Sequence, residues 1–464
     1  MLHPRPAYRD HAPLLTPAGD ALLRRLEQHP HAPRWNYTCG DQLVADDLPR
    51  LDRMRGELAS TPDAAAGEPP ERVLDALWAQ RTLVPHLAAH LPGARSALAE
   101  CWADLPTLSR EDLARRVPDF VPDGADLDRI VVYSTSGTTG HPLTIPNHPV
   151  GAAAYQLLME RALSIYGVTL PLGPDTLANA LVCAQHDTIQ YASTLTVWRG
   201  AGHVKVNLHP NGWRAAADAR AYLEAFDPPL LTGDPVSFAA LLDLDADLHP
   251  LALASTATAL SDGLRRQLAA RFGCPVFEWI SLNEIGPIAL ACPAGAGHHT
   301  LDPAVFVEVV DDRGRPCAPG ERGEVTVTGG RNPVLRLLRY RTGDTAALAF
   351  GRCACGSTAP RLVGFAGRPP VVLCGARGGV VNPVDVSRVL HPFPIVQHQL
   401  VQRADASVEL ALRAVPFDTA ALRRSLDALF GGVEVSIRFV DAIEGTGPGG
   451  KGMPFVTERT SDTP

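Results

Sequence analysis

The sequence predicts an α/β protein whose pattern changes twice along the chain, and three observations carry the prediction. From about residue 150 to residue 280, short apolar runs alternate with stretches of helical spacing, as strands alternate with crossover helices. From Val305 the apolar period drops to two. Val305-Phe306-Val307-Glu308-Val309-Val310 and Gly323-Glu324-Val325-Thr326-Val327 flank a Gly/Pro-rich turn at 314–320, which reads as antiparallel sheet. From about Pro370 a further set follows: a helix near Asp385–Leu390, strands near Ile395–Val401 and Ser407–Val415, a helix at Asp418–Phe430 and a strand at Val433–Val440. That set is a small α+β domain of its own.

Taken in order, the opening part is mainly helical. Thr16-Pro17 is a helix start, with Leu22, Leu23 and Leu26 on one apolar face. Ser60–Pro70, rich in Ala, Gly and Pro, is a loop, and Val73–Leu91 is helical again. Ile130-Val131-Val132 reads as a buried strand. Ala152–Tyr166 is a helix, Leu177–Ala184 a buried strand, and Leu195–Val206 a further helix and strand. Ala215–Phe226 is helical and Leu230-Leu231-Thr232 strand-like. Ser261 caps a helix through Phe272, and Pro275-Val276-Phe277 begins the next strand.

Composition narrows the function classes. The chain has 464 residues, enough for a large domain and a smaller one. Its 45% hydrophobic and 20% charged content is that of a globular enzyme. A net charge of −8 argues against a nucleic-acid surface but not against a small anion held locally by loop amides and a metal. No apolar run approaches ~18 residues, so no membrane span is expected. The N-terminus lacks a basic-then-apolar leader, and nine cysteines in this length are not a disulfide framework, so the expected location is cytoplasmic. Abundant Ala, Arg and Pro suit a GC-rich bacterial genome.

Five motifs carry chemistry. Tyr133-Ser134-Thr135-Ser136-Gly137-Thr138-Thr139-Gly140-His141-Pro142 packs hydroxyls and glycines directly after a strand. Glycines let the backbone turn and approach a ligand, and hydroxyls and amides bind phosphate oxygens. It is not a Walker loop, because no Lys follows the second Gly. Next come Glu278-Trp279-Ile280-Ser281-Leu282-Asn283-Glu284-Ile285-Gly286-Pro287, then Arg339-Tyr340-Arg341-Thr342-Gly343-Asp344, then Gly367-Arg368, and last Gly447-Pro448-Gly449-Gly450-Lys451-Gly452.

This ordered set resembles the adenylate-forming superfamily of acyl-CoA ligases, peptide adenylation domains and luciferases, and within it the phenylacetate-CoA ligase-like branch. The resemblance runs from about Val131 to Lys451. It implies a large multi-layer α/β domain with an antiparallel subdomain over residues 1–368, and a mobile α+β lid over 369–464. It implies ATP and Mg²⁺ as cofactors. Ser134, Thr135, Ser136, Gly137, Thr138 and Thr139 would bind phosphate, and Ser255 and Thr256 would lie by the adenine. Glu284 would hold Mg²⁺, a hard ion that prefers oxygen ligands. Asp344 would accept bonds from the ribose hydroxyls, and Arg368 would touch ribose or phosphate. Lys451 would bridge the attacking carboxylate and the α-phosphate, offsetting charge that grows in the transition state. Two departures stand out. Ile280 and Ser281 replace the family's Tyr and Gly, which alters either adenine stacking or the floor of the acid pocket, and Pro370 replaces the hinge Asp, where proline fixes φ.

The same branch places Cys, His and C-x-C around a structural zinc. Cys292, Cys353 and Cys355 with one of His298 or His299 match that arrangement, and tetrahedral thiolate–imidazole sites suit zinc. His186-Asp187 follows a strand where the superfamily borders its acid pocket; it reads either as substrate contact or as the capped start of a helix. The implied reaction activates a small, aromatic carboxylic acid as acyl-AMP with loss of pyrophosphate. The acceptor is CoA or, as in relatives of antibiotic pathways and secondary metabolism, an amine. A diazotase acting on an aromatic amine with ATP and nitrite, and a non-catalytic nucleotide-binding protein, are the alternatives. Expected partners are thus small molecules, with neither nucleic acid nor membrane, and a homodimer is an open possibility.

Overall fold

Pairing of the β-rich segments organises the chain. A computed structural model describes residues 8–60, 67–135, 143–366, 371–390, 392–441, 443 and 455–459. The run after Ile130 forms a hairpin: β1 (Val131–Thr135) pairs antiparallel with β2 (Leu143–Asn147). Val132 and Tyr133 are exposed, so β1 is not the buried strand that its apolar residues suggest. Its only strand partner among the described residues is β2.

The alternating middle of the chain gives β3 (Leu177–Cys183), β4 (Tyr191–Leu195), β5 (Ala201–Asn207), β6 (Leu230–Gly233), β7 (Ala252–Ser255) and β8 (Val276–Leu282). The period-two region adds β9 (Gly286–Ala291), β10 (His298–Thr300), β11 (Val305–Val310), β12 (Arg322–Gly329), β13 (Leu337–Ala349) and β14 (Arg361–Ala366). Among the described residues these join in one sheet, in the order β11-β12-β13-β14-β10-β9-β8-β7-β6-β3-β5-β4. The run β5-β3-β6-β7-β8 is parallel, and everything from β9 to β14 is antiparallel. This is the α/β class with an antiparallel part that the change of period predicts.

The parallel strands are buried on both faces, which is why they read as nearly continuous apolar runs. On one face Ala180, Val182, Val204, Val206, Leu231 and Leu253 pack with Leu22, Leu23 and Leu26 of helix Pro17–Glu27 and with Tyr222, Phe238 and Leu268. On the other, Leu230, Ala254, Phe277 and Trp279 meet Leu157, Leu158 and Ala162 of helix Pro149–Ile165. A third core, with Val307, Val325, Val327 and Leu337, lies on the antiparallel part.

Local signals behave as their chemistry dictates. The Thr16 side chain accepts the Gly19 N–H at 3.1 Å and Ser261 accepts that of Leu264 at 3.2 Å, each opening the expected helix. The expected helix over Val73–Leu91 is two, Glu71–Ala79 and Pro85–His90. Pro85 has no N–H to continue the first and suits the opening of the second. Residues after His186 run into β4 through a bend, so no helix starts there.

Toward the C-terminus come β15 (Leu373–Cys374), β16 (Val380–Val381), β17 (Ile395–Gln402), β18 (Val408–Ala414), β19 (Val435–Phe439) and β20 (Phe455–Thr457). The last four form a sheet in the order β19-β18-β17-β20, backed by helices Pro383–Leu390 and Ala420–Phe430 around Leu400, Leu410, Leu422, Leu426 and Phe430. This part touches the large sheet at the end of β3. Asn382 Nδ2 donates to the Ala184 carbonyl at 3.1 Å, and the His186 N–H donates to Asp385 Oδ2 at 2.8 Å. No helix among the described residues is long and apolar enough to cross a membrane.

Candidate active site

Glu284 lies in the tight connection between β8 and β9, where Gly286 adopts φ +99°, and its carboxylate is buried at 5% exposure. Two donors meet its Oε1: Arg110 Nη1 at 2.8 Å and the Tyr340 hydroxyl at 3.0 Å. Tyr340 comes from the third motif, so folding joins the second and third motifs through one hydrogen bond. Burial, and then the Glu284 charge, push the Tyr340 phenol well above its ordinary pKa, so it stays a donor. Glu284 Oε2 takes no hydrogen bond among the described residues. A single carboxylate oxygen of this kind suits Mg²⁺, which binds one or two carboxylates and completes its shell with phosphates and water.

Arg110 comes from the N-terminal segment, where no motif was evident. The Leu108 N–H donates to the Arg339 carbonyl at 2.9 Å and the Arg341 N–H donates to the Leu108 carbonyl at 2.8 Å, laying this segment along β13. Ser109 then starts helix Arg110–Arg115 with a reciprocal cap to Asp112. The Ser109-x-x-Asp112 spacing is a legible helix start. Nothing in it names Glu284 as the partner of Arg110.

The third motif divides its labour. Arg339 is wholly buried with φ +47°, a conformation held because its fork grips Glu308 at 3.0 and 3.2 Å and Nη2 donates to the Gly314 carbonyl at 2.7 Å. Arg341 pairs with Glu324 at 2.6 Å. Thr342 Oγ1 donates to the Val325 carbonyl at 2.9 Å and accepts the Asp344 N–H at 3.0 Å. Gly343 has φ +75°, a left-handed turn that a residue with a Cβ adopts at a cost. The pairing register slips on both sides of this segment, so β13 bulges and presents Asp344 at a partly exposed kink.

The carboxyl ends of the parallel strands bring further candidate residues together. Gly233, Ser255 and Glu278 stand level across β6, β7 and β8. Open α/β sheets bind ligands in the crevice at such ends. Ser255 Oγ is fully buried and has no hydrogen-bond partner among the described residues, and Thr256 follows on a turn whose next residue, Ala257, has φ +74°. Ser281 Oγ donates to the Tyr155 hydroxyl at 3.4 Å, and that hydroxyl donates to the Leu282 carbonyl at 3.2 Å.

Ile280 packs into the core with Leu143, Ile145 and Ile288, and the pairing of β8 with β9 slips between Ile280 and Ser281. His186 and Asp187 pair with each other at 2.9 Å on an exposed bend, with side chains 49% and 81% accessible. The His186 backbone meets the C-terminal part rather than the crevice. Ser134 and Thr135 end β1, while Ser136, Gly137, Thr138, Thr139, Arg368 and Lys451 lie outside the described residues.

A second cluster forms where β10 pairs with both β9 and β14. Cys292, His299, Cys353 and Cys355 bring their ligand atoms within 4.8 Å of one another. Cys292 Sγ is 3.6 Å from Cys353 Sγ, and His299 Nε2 is 3.3 Å from Cys355 Sγ. His299 Nδ1 is 3.0 Å from the Ala359 carbonyl, so it carries the proton and leaves Nε2 as the ligand atom. His298 faces the opposite side of β10 and pairs with Glu278 at 3.3 Å. Of the two histidines, therefore, His299 joins the cluster. The backbone N–H of Cys355 first, then the side chains of His299 and Cys292, hold the Cys353 thiol down to about 6. Three sulfurs and one imidazole in this compass fit a tetrahedral zinc with no open position.

No protein-family model matches the chain. Over 157 residues it is 32% identical to the phenylacetate-coenzyme A ligase of Thermus thermophilus, a match covering 32% of this chain and 35% of that one. The matched stretch thus spans about a third of that relative's length. The solved 2-hydroxyisobutyryl-CoA ligase, in complex with 2-HIB-AMP and CoA in its thioesterification state, superposes with a TM-score of 0.54 at 18% identity. That match covers 90% of this chain and 94% of the other. The same ligase in an open conformation gives 0.51 at 16% identity over 88% and 92%. The chain shares the fold of that solved ligase. The Glu284–Tyr340 contact lies just past the carboxyl end of β8, the last of the parallel strands.

Proposed function

We propose that this protein is an AMP-forming ligase. It activates a small aromatic carboxylic acid as acyl-AMP, releases pyrophosphate, and passes the acyl group to CoA or an amine, in a bacterial secondary or antibiotic pathway. The observation that carries the reading is the junction at Glu284: residues from two separate motifs, with Arg110, converge on one buried carboxylate at the open ends of a parallel sheet. Residues 1–368 act as the ATP-binding domain and 369–464 as a lid that brings Lys451 to the reacting carboxylate. The β1–β2 loop holds the phosphates.

In this reading Arg110 and Tyr340 fix the orientation of Glu284 through Oε1, which leaves Oε2 to the Mg²⁺ on the phosphates. Asp344 accepts the ribose hydroxyls from its kink on β13, and Arg368 lies beside them. Lys451 stabilises negative charge as the acid attacks the α-phosphate. Zinc at Cys292, His299, Cys353 and Cys355 ties the β9–β10 turn to the loop before β14 and has no catalytic step. The deciding experiment measures AMP and pyrophosphate release with a panel of aryl acids, offering CoA, amines or nitrite as acceptor. Absence of ATP-dependent release with every acid would sink the reading, and release that required nitrite and an aryl amine would favour the diazotase alternative.

Asp344→Ala is expected to weaken ATP binding by about 10-fold, the loss of one or two hydrogen bonds to a charged acceptor. Ribose contacts exist before the reaction, so the loss appears in the dissociation constant. Titration calorimetry with ATP–Mg²⁺ checks it. An unchanged constant would remove Asp344 from the ribose site.

A further inference from the structure

Beyond the adenylation machinery, the edge of the parallel sheet carries a polar cluster that no motif marks. On the face shared with Phe277 and Trp279, β5 presents His203 and Lys205, level with Asn179 and Leu181 of β3 and opposite Ser193 and Tyr191 of β4. Tyr191 stands 5.8 Å from the His203 ring and 6.1 Å from that of Tyr37. Tyr133, from the hairpin that leads into the Gly/Thr loop, and Cys39 complete the surroundings of Tyr191. Asn179 Nδ2 is 3.1 Å from His203 Nδ1, and Thr232 Oγ1 donates to Asn179 Oδ1 at 3.2 Å. That chain fixes the amide, so Nδ1 accepts and the His203 proton sits on Nε2.

His203, Lys205, Tyr191 and Cys39 are half-buried, each keeping part of its surface uncovered. Burial, then Lys205, brings the His203 pKa down to about 4, and burial raises the Tyr133 phenol to about 12 and the Cys39 thiol to about 11. Within this cluster Lys205 makes no hydrogen bond or ion pair among the described residues. Its surroundings are neutral: His203, the phenols, and the thiols of Cys39 and Cys183. Two carboxylates stand nearby, and both are engaged by backbone: Asp41 takes the Thr196 N–H at 2.7 Å, and Asp234 takes the Ser237 N–H at 2.8 Å. Arg388 adds further positive charge beside Cys183. A cation so placed calls for an anion from outside the chain.

We infer that Lys205, with His203 and Tyr191, receives the far end of the acid substrate, and that this end carries a second carboxylate. The substrate class is an aromatic dicarboxylic acid, its ring between the Tyr37, Tyr133 and Tyr191 side chains. Lys205 and the Nε2–H of His203 both donate to the distal carboxylate, while the proximal one faces the nucleotide. This deepens the adenylation reading and rests on it for which carboxylate reacts, but not for the binding itself.

The test compares benzoate with benzene-1,3- and benzene-1,4-dicarboxylate on the full chain, first by calorimetric binding and then by pyrophosphate release with ATP–Mg²⁺. The expected result is that at least one dicarboxylate binds about 10- to 100-fold tighter than benzoate, the range of a hydrogen-bonded charge pair. Lys205→Met should collapse that ratio toward one, and Lys205→Arg should retain most of it. A wild-type protein that binds benzoate as well as both diacids overturns the inference without needing any variant. So does a folded Lys205→Met protein that keeps the ratio. Preferential binding without pyrophosphate release would leave the dicarboxylate site standing and fell the adenylation reading. Turnover of monoacids with no preference would do the reverse.

Discussion

Replacing Lys451 by alanine is expected to slow adenylation by about 10²–10³, with ATP binding nearly intact. A positioned donor aimed at charge that develops in the transition state has that magnitude, because it acts little on the ground state. The measurement pairs the pyrophosphate-exchange rate with the ATP dissociation constant. Asp344→Ala gives the contrasting outcome, a change in the constant itself. Should Lys451→Ala turn over at the parent rate, either the Gly-rich C-terminal loop does not carry the reacting lysine or the chemistry is not adenylation.

Zinc removal is the second large effect. The protein is expected to carry about one zinc per chain, and Cys355→Ser should lose most of it. The melting temperature should fall by roughly 5–10 °C, since bound metal adds its binding free energy to the folded state alone. The effect is local in origin. Cys292 belongs to the β9–β10 turn, while Cys353 and Cys355 belong to the loop before β14, and the short β10 is their shared strand partner. Elemental analysis and a melting curve, with and without a chelator, give the answer independently of activity. A Cys355→Ser protein that retains both metal and melting temperature would refute the four-ligand site.

The two histidines of β10 show how far a pattern reaches. Cys292 and the C-x-C pair were visible as ligand types, but adjacent histidines are equivalent on paper. Strand alternation sends His298 toward Glu278 and His299 toward the cysteines, and only the register against β14 says which is which. The pair His186-Asp187 shows a different limit. His186-Asp187 attracted notice as a polar pair after a strand, yet that bend is turned toward helix Pro383–Leu390. His203 and Lys205 were hidden inside an apparently ordinary alternating strand, Ala201–Asn207.

What the sequence determined by itself was the α/β class, the switch to antiparallel sheet at Val305, and the order of the five motifs. Those are local properties: hydrophobic period, turn chemistry and short spacings, each readable within a few residues. Tertiary structure decided which of those residues meet. Arg110 reaches Glu284 across 174 positions because residues 108–110 lie along β13. Tyr340 reaches the same carboxylate across 56. Lys205 has no hydrogen bond or ion pair among the described residues, and β4, β5 and β1 bring it neutral neighbours from distant parts of the chain. Whether a buried charge is paired depends on every strand that packs against it, and no short stretch of sequence contains that information.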